Sequence, residues 1–168
     1  LGNEFMKINN FKKAFYYLKK ALVLSDCPAS PSLWYKTVNC LFKLNSFSDA
    51  IDLVKKAVQY YPDYTNLFYL EGLCYLKLGS LEEAEKSFTK CLELGEANWE
   101  KYLVQPGAGS YLAHCGLAET YLKENNLQKC LKQYQLAARY PEGHNTVIPL
   151  LTQVIIENLG AERVLDYL

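Results

Sequence analysis

The chain has 168 residues, half of them hydrophobic and 14% aromatic, and its 18 Lys plus Arg balance 18 Asp plus Glu. That apolar content supports a sizeable core and excludes global disorder. A net charge of zero argues against a general nucleic-acid binder, which needs a basic surface to displace counterions, and no apolar run approaches the roughly 20 residues of a membrane span.

Read from the N-terminus, the first helical pattern carries Gly2, Phe5, Ala14, Leu18 and Ala21. Ser30-Pro31 then offers a cap and a proline at the first position of a new helix. The pattern resumes with Trp34, Leu41, Ala50, Val54 and Ala57, and Pro62 is expected to end it. Glu71-Gly72, Tyr75, Ala84, Phe88 and Cys91 repeat the first offsets, as do Leu117-Ala118, Tyr121, Cys130, Tyr134 and Ala137. The anchors Ala14, Ala50 and Ala84 are 36 and 34 residues apart, and Cys130 follows after a 34-residue step carrying 12 extra residues. Each unit reads as two helices joined by a short break, such as Leu78-Gly79-Ser80 or Asn125-Asn126. Ser80 with Glu83 has the form of a capping box, and Pro141 is expected to stop the last second helix.

Small residues recur for a mechanical reason. Gly2, Gly72 and Ala118 on first helices, with Ala14, Ala50, Ala84 and Cys130 on second helices, let helices cross closely. Phe5, Tyr75 and Tyr121 fill the remaining gaps. A two-helix unit leaves an apolar face open, and the next unit covers it.

This pattern resembles the tetratricopeptide repeat, a 34-residue helix–turn–helix. The resemblance spans 1–142 and implies an all-α fold, a right-handed superhelix of antiparallel helix pairs. The units are 1–29, 31–64, 65–98 and 111–142, with the insertion inside 95–110. Val38 stands where the small first-helix residue belongs, and His114 where an aromatic is usual. Residues 143–168 have no repeat register and read as a helical cap or degenerate repeat. There a helix over Val147–Leu159 would hold Pro149 in its first turn, and a second would start at Ala161. Both the opening at Leu1 and the stop at Leu168 fall in mid-pattern, as in a piece of a longer chain, and no signal peptide is read. Leu165, Tyr167 and Leu168 would expose an apolar end able to self-associate.

The insertion contains Gln105-Pro106-Gly107-Ala108-Gly109-Ser110. With no preceding strand and no following lysine it lacks the context of a phosphate loop. It reads as a turn in which Ser110 caps the next helix, while Trp99 and Tyr102 fold back onto the stack. Residues 103–122, LVQPGAGSYLAHCGLAETYL, resemble the repeat tails of bacterial family-2 glycosyltransferases. That resemblance implies a parent with a separate catalytic domain, whose Asp-x-Asp-like metal motif this sequence lacks.

Nothing here reads as catalytic or cofactor-binding. Cys27, Cys40, Cys74, Cys91, Cys115 and Cys130 form no CxxC pair and fit reduced, buried thiols of a cytoplasmic protein. His114 reads as a spacer and His144 as a solvated turn residue, with no HExxH or other metal spacing. Glu82, Glu83 and Glu85 read as a solvated first helical turn.

The resemblance places first helices on a concave face that takes a protein or peptide. Its register turns Asn3, Met6 and Lys7 inward, then Tyr35, Asn39, Phe42 and Lys43. Tyr69, Leu73, Leu76 and Lys77 follow, then Cys115, Glu119, Leu122 and Lys123. Lys7, Lys43, Lys77 and Lys123 hold one equivalent position, which suits an acidic partner or is simply an exposed helix position common to such repeats. Some family members clamp a C-terminal carboxylate with Lys and Asn. Asn3 and Asn39 match that use, but Tyr69 and Leu73 stand where further basic residues belong. The expectation is thus a non-catalytic interaction module. An accessory part of a neighbouring catalytic domain and a homo-oligomerisation unit are the alternatives. Charge divides along the chain, with nine Lys against four acids in 1–62 and nine basic residues against fourteen acids in 63–168.

Overall fold

The computed structural model describes residues 1–24 and 29–167, so Cys27 and Leu168 lie outside the described residues. Among these, α1 (Gly2–Lys7), α2 (Phe11–Leu24), α3 (Pro31–Lys43), α4 (Phe47–Ala57) and α5 (Thr65–Leu78) lead the chain. They are followed by α6 (Leu81–Leu94), α7 (Tyr111–Lys123), α8 (Leu127–Ala137) and α9 (His144–Leu159). Short 3₁₀ segments, Pro141–Gly143 and Ala161–Asp166, flank α9. No strand occurs among the described residues. Each helix packs on the next, from α1 on α2 to α8 on α9, and α3, α5 and α7 also touch in succession.

The two kinds of helix bury different amounts of surface. The middle first helix, α5, buries residues on several sides, including Asn66, Leu67, Tyr69, Leu70, Gly72, Cys74 and Leu76. Its partner α6 buries one stripe, Ala84, Ser87, Phe88 and Cys91, as an amphipathic outer helix does. Leu76 therefore belongs to the core and not to the concave surface expected for it: it is 1% exposed and packs in the cluster holding Phe88 and Leu117.

Four of the turns between consecutive helices share one construction. Asn9, Asn45, Gly79 and Asn125 are all left-handed, with φ of 56°, 58°, 77° and 58°. Asn and Gly tolerate this region best. Each sits five positions before Ala14, Ala50, Ala84 or Cys130. In every case the next amide donates back to the gap-filling residue: Asn10 N to Phe5 O, Ser46 N to Leu41 O, Ser80 N to Tyr75 O, and Asn126 N to Tyr121 O, at 2.8–3.0 Å. These bonds close the ends of the first helices.

The caps depart from expectation. Asn10 Oδ1 and Asn126 Oδ1 accept from Lys13 N and Lys129 N at 3.2 and 3.1 Å. Ser80, Ser30 and Ser110 occupy cap positions, but none makes a side-chain cap bond. The Ser80–Glu83 box is thus not formed, although serine is a residue able to make such a bond. Nor do prolines terminate the second helices. α4 ends at Ala57 and α8 at Ala137, where Tyr60 N and Tyr140 N fold back to Ala57 O and Ala137 O, before Pro62 and Pro141 are reached.

Close crossings explain the small residues. A Cβ on Gly2 would lie 2.9 Å from the Leu18 side chain, and one on Gly72 2.8 Å from the Phe88 ring. The same ring also meets Gly116, where a Cβ would lie 2.5 Å away. Phe88 is therefore held between α5 and α7, and burying it contributes about 2–3 kcal/mol. Val38, at the position of Gly2 and Gly72, is matched by Val54, which is smaller than Leu18 or Phe88 at the equivalent position, and both valines are fully buried in one cluster.

At the C-terminus α9 starts at His144, three residues before the expected Val147. Pro149 therefore lies inside the helix and not in its first turn. The proline is tolerated because it is exposed, so the carbonyl it leaves unpaired is open to water. Val147, Leu151, Val154 and Ile155 bury the other side. Beyond Gly160 the chain forms the 3₁₀ segment instead of an α-helix. Leu165 is exposed, while Tyr167 is half-buried.

Candidate functional site, a divided concave groove

The insertion decides which part of the concave face is open. Its two ends meet: a Cβ on Gly109 would lie 2.0 Å from the Gly95 carbonyl carbon. Gly107 is left-handed with φ 90° and lies under the Tyr111 ring. Glu96 accepts from Ser110 Oγ at 2.6 Å and from Gly107 N at 3.2 Å. The donors that would have formed a phosphate loop therefore hold the chain's own carboxylate.

Between these ends, residues 101–105 lie against the starts of first helices. Tyr102 stacks on Tyr64, with centroids 4.2 Å apart and planes at 10°, and its hydroxyl bonds Asp63. Lys101 pairs with Asp63 at 2.8 Å. These two donors hold the Asp63 carboxyl below the usual range, the Lys101 bond being the larger cause. Tyr64 Oη donates to Leu103 O at 2.6 Å, and Asn66 Nδ2 to Gln105 O at 3.2 Å. Tyr35 Oη donates to Gln105 Oε1 at 3.4 Å. Of the two insertion aromatics expected to fold back, Tyr102 does so, being 5% exposed, whereas Trp99 points outward at 79%.

Tyr35, expected as an inward-facing anchor, is thus 8% exposed and engaged by the insertion. Burial pushes its phenol up. Asn39 and Phe42 are half-buried, with Phe42 against Phe47 at 5.7 Å and beneath Lys43 Nζ at 6.0 Å. Asn3 faces a separate hollow with Tyr17, Ser32 and Lys36. Lys7, Lys43, Lys77 and Lys123 are all exposed and lie in the last turns of their helices, where the helix dipole favours a cation. Lys7 pairs with Glu4 at 3.0 Å.

The expected residues that come together are Tyr69, Leu73, Cys115, Glu119 and Leu122. They line a cavity of about 480 Å³ between α5, α7 and α9. Leu112 and Tyr134 complete its near side, and Thr146, Leu150, Gln153, Val154 and Glu157 of α9 form the far wall. The α9 residues were missed by the sequence reading. A 34-residue step from Leu112, Gly116 and Glu119 lands on Thr146, Leu150 and Gln153, which was the available signal. The same step from Lys123 lands on Glu157, so a fifth rung of the lysine series is acidic.

Burial dominates titration in this cavity. It pushes the Cys115 thiol to about 12, with the Glu119 charge adding to the effect, and raises the Tyr69 and Tyr134 phenols. His114 lies one residue from Cys115, but its Nδ1 pairs with Gln133 Oε1 at 2.7 Å and it does not line the cavity. No histidine lines the cavity beside the thiol, and the Glu119 charge opposes formation of the thiolate that a nucleophile would need. Elsewhere, Glu85 of the acidic turn accepts from the Tyr121 hydroxyl, while Glu82 pairs with Lys86 at 2.6 Å. Among the described residues no group of three or more His, Cys, Asp or Glu could hold a metal. No helix there is long and apolar enough to cross a membrane.

Stacked helix pairs with left-handed turns, glycine crossings and a concave face of first helices define an all-α, tetratricopeptide-type superhelix. The chain belongs to the family described as anaphase-promoting complex, cyclosome, subunit 3, whose model matches residues 7–91, just over half of it. It is 31% identical over 97 residues to heat shock protein STI1 of Saccharomyces cerevisiae, covering 58% of this chain and 16% of that one. It is 28% identical over 166 residues to anaphase-promoting complex subunit CDC16 of the same yeast, covering 95% and 18%. The chain thus spans less than a fifth of either relative. Among solved structures it superimposes on YrrB, described as a TPR protein with an unusual peptide-binding site. The TM-score is 0.70 with 23% identity, covering 89% of this chain and 70% of that one.

Proposed function

We propose that the chain is a non-catalytic interaction module that receives a peptide or short partner segment between α5, α7 and α9. The observation that carries this reading is the open cavity lined by Tyr69, Leu73, Leu112, Leu122 and Leu150, next to a stretch of groove that the insertion fills. Leucine and tyrosine walls with polar groups at Glu119, Thr146, Gln153 and Glu157 suit recognition of an extended or helical segment. YrrB, with its peptide-binding site, and the repeat relatives favour the same class. The proposed division is four units, 1–29, 31–64, 65–98 and 111–142, with 143–168 as a fifth, incomplete unit or cap.

Panning the chain against a phage-displayed random peptide library tests the reading. Enriched peptides should weaken at least about tenfold on Leu112→Ala with Leu150→Ala, the loss of two well-packed anchors, and be unchanged by Lys90→Glu on outward-facing α6. Peptides indifferent to the cavity pair overturn it.

A finer reading, a cytoplasmic bacterial protein whose catalytic domain is a family-2 glycosyltransferase, draws its support from residues 103–122 alone. Its test is the reading frame upstream of Leu1, where an α/β sugar-nucleotide domain would be required. If one is present, loss of turnover on deleting this segment would favour the accessory role over partner capture. Light scattering over a range of concentrations tests self-association.

A further inference from the structure

The charged side chains in the cavity are of one sign. Glu119 on α7 and Glu157 on α9 line it, and no Lys, Arg or His does. Glu157 Oε1 accepts from Gln153 Nε2 at 2.8 Å. Glu119 is half-buried and has no hydrogen bond or ion pair among the described residues. Its charge is felt by Tyr69, Cys115 and Tyr134, whose ionisation it opposes. Lys123, one turn further along α7, is exposed and makes no ion pair with it among the described residues.

A carboxylate in this position has lost part of its hydration without gaining a partner. An incoming cation would restore that interaction, and the less polar surroundings would strengthen it. The remaining walls suit the rest of such a side chain. Leu112 and Leu150 can cover a long aliphatic stem, and Tyr69 and Tyr134 line the cavity beside them. The reversal from Lys123 to Glu157 at one register position makes this end of the groove acidic while the exposed first-helix ends before it carry lysine.

Resting on the peptide-groove reading above, we propose that this compartment selects a partner segment bearing a basic side chain, Arg or Lys, flanked by apolar residues. Its headgroup lies between Glu119 and Glu157. This chemistry is opposite to a carboxylate clamp and would reject acidic segments by like-charge repulsion.

The test uses fluorescein-labelled leucine-flanked nonapeptides with Arg, Lys, norleucine or Glu at the centre, titrated with the chain by fluorescence anisotropy. The Arg and Lys peptides should bind at least about tenfold more tightly than the norleucine peptide, the scale of one charge-assisted hydrogen bond. The Glu peptide should be weaker than norleucine. The Glu119→Gln, Glu157→Gln double variant should erase the ranking. The Arg advantage should shrink with added salt.

Equal binding of all four peptides, still lost on Leu112→Ala with Leu150→Ala, overturns the basic preference and leaves the groove reading standing. A basic preference surviving the double Gln variant also overturns the assignment. Absence of cavity-dependent binding by any peptide, including those from the display library, overturns both readings.

Discussion

Phe88 offers a direct test of how the stack is held together. Its ring is fully buried between α5 and α7 and lies 5.9 Å from the Tyr69 ring, so it has no open space into which to swing. A Cβ on Gly116 would stand 2.5 Å from it, and on Gly72 2.8 Å. Overpacking of this kind costs about 1–3 kcal/mol, against a helix-propensity gain of about 1 kcal/mol for Gly→Ala. Because the ring is confined, Gly116→Ala should fall at the upper end and be destabilising by about 2 kcal/mol net. For a chain of this size that is a fall in Tm of about 4–8 °C. Gly72→Ala should cost less, about 1 kcal/mol. Phe88→Leu should recover about 1–2 kcal/mol of the Gly116→Ala cost, a coupling expected of residues in direct contact. Thermal melts and urea titrations of the four members of this cycle give the numbers. If Gly116→Ala raises Tm, or its effect simply adds to that of Phe88→Leu, the clamp is not what limits the packing of α5 on α7.

Four further outcomes are expected. Tyr102→Ala should cost about 3 kcal/mol, the scale for losing a buried ring, and should raise hydrogen exchange across 98–106 together with exposure of Tyr35. Asp63→Asn should cost under about 1 kcal/mol because the pair is half exposed. The depressed Asp63 carboxyl contributes stability that is complete above the ordinary carboxylate range and lost as pH falls through its lowered value, so the variant should flatten the acid limb of a Tm–pH curve. Glu71 behaves oppositely: burial raises its carboxyl, against the Ser87 hydrogen bond and the Lys55 charge. The folded state therefore holds that proton more tightly, and stability from this group rises as pH falls from neutral toward about 4. Glu71→Gln should add about 0.5 kcal/mol at pH 7 and remove that slope. Burial holds the thiols up, Cys40 and Cys130 at about 11, and Cys74 and Cys115 at about 12. Iodoacetamide at pH 8 should therefore label these sites far more slowly in the folded than in the urea-unfolded chain, read site by site by mass spectrometry. Cys115, half-buried in the cavity, should react ahead of Cys74 and be protected by a bound peptide.

Repeat spacing was legible because each unit solves the same local problem. A small residue at Ala14, Ala50, Ala84 and Cys130 and a turn residue five positions earlier leave a periodic trace in the sequence. The caps were less legible, since Asn126 and Ser80 are both good cap residue types and only Asn126 makes the bond. Trp99 and Tyr102 likewise read alike. Only Tyr102 finds a ring, Tyr64, and a carboxylate, Asp63, brought to it from 38–39 positions away in the chain.

By itself, then, the sequence determined the helix pairs, their order and the face on which first helices stand, because these follow from spacing within about 34 residues. Tertiary structure decided which part of that face remains open. The insertion's contacts with Tyr35, Tyr64 and Asn66 join distant segments, and α9 brings Gln153 and Glu157 opposite Glu119. Neither arrangement has a local pattern, since each depends on side chains meeting across the stack and on the water they exclude there.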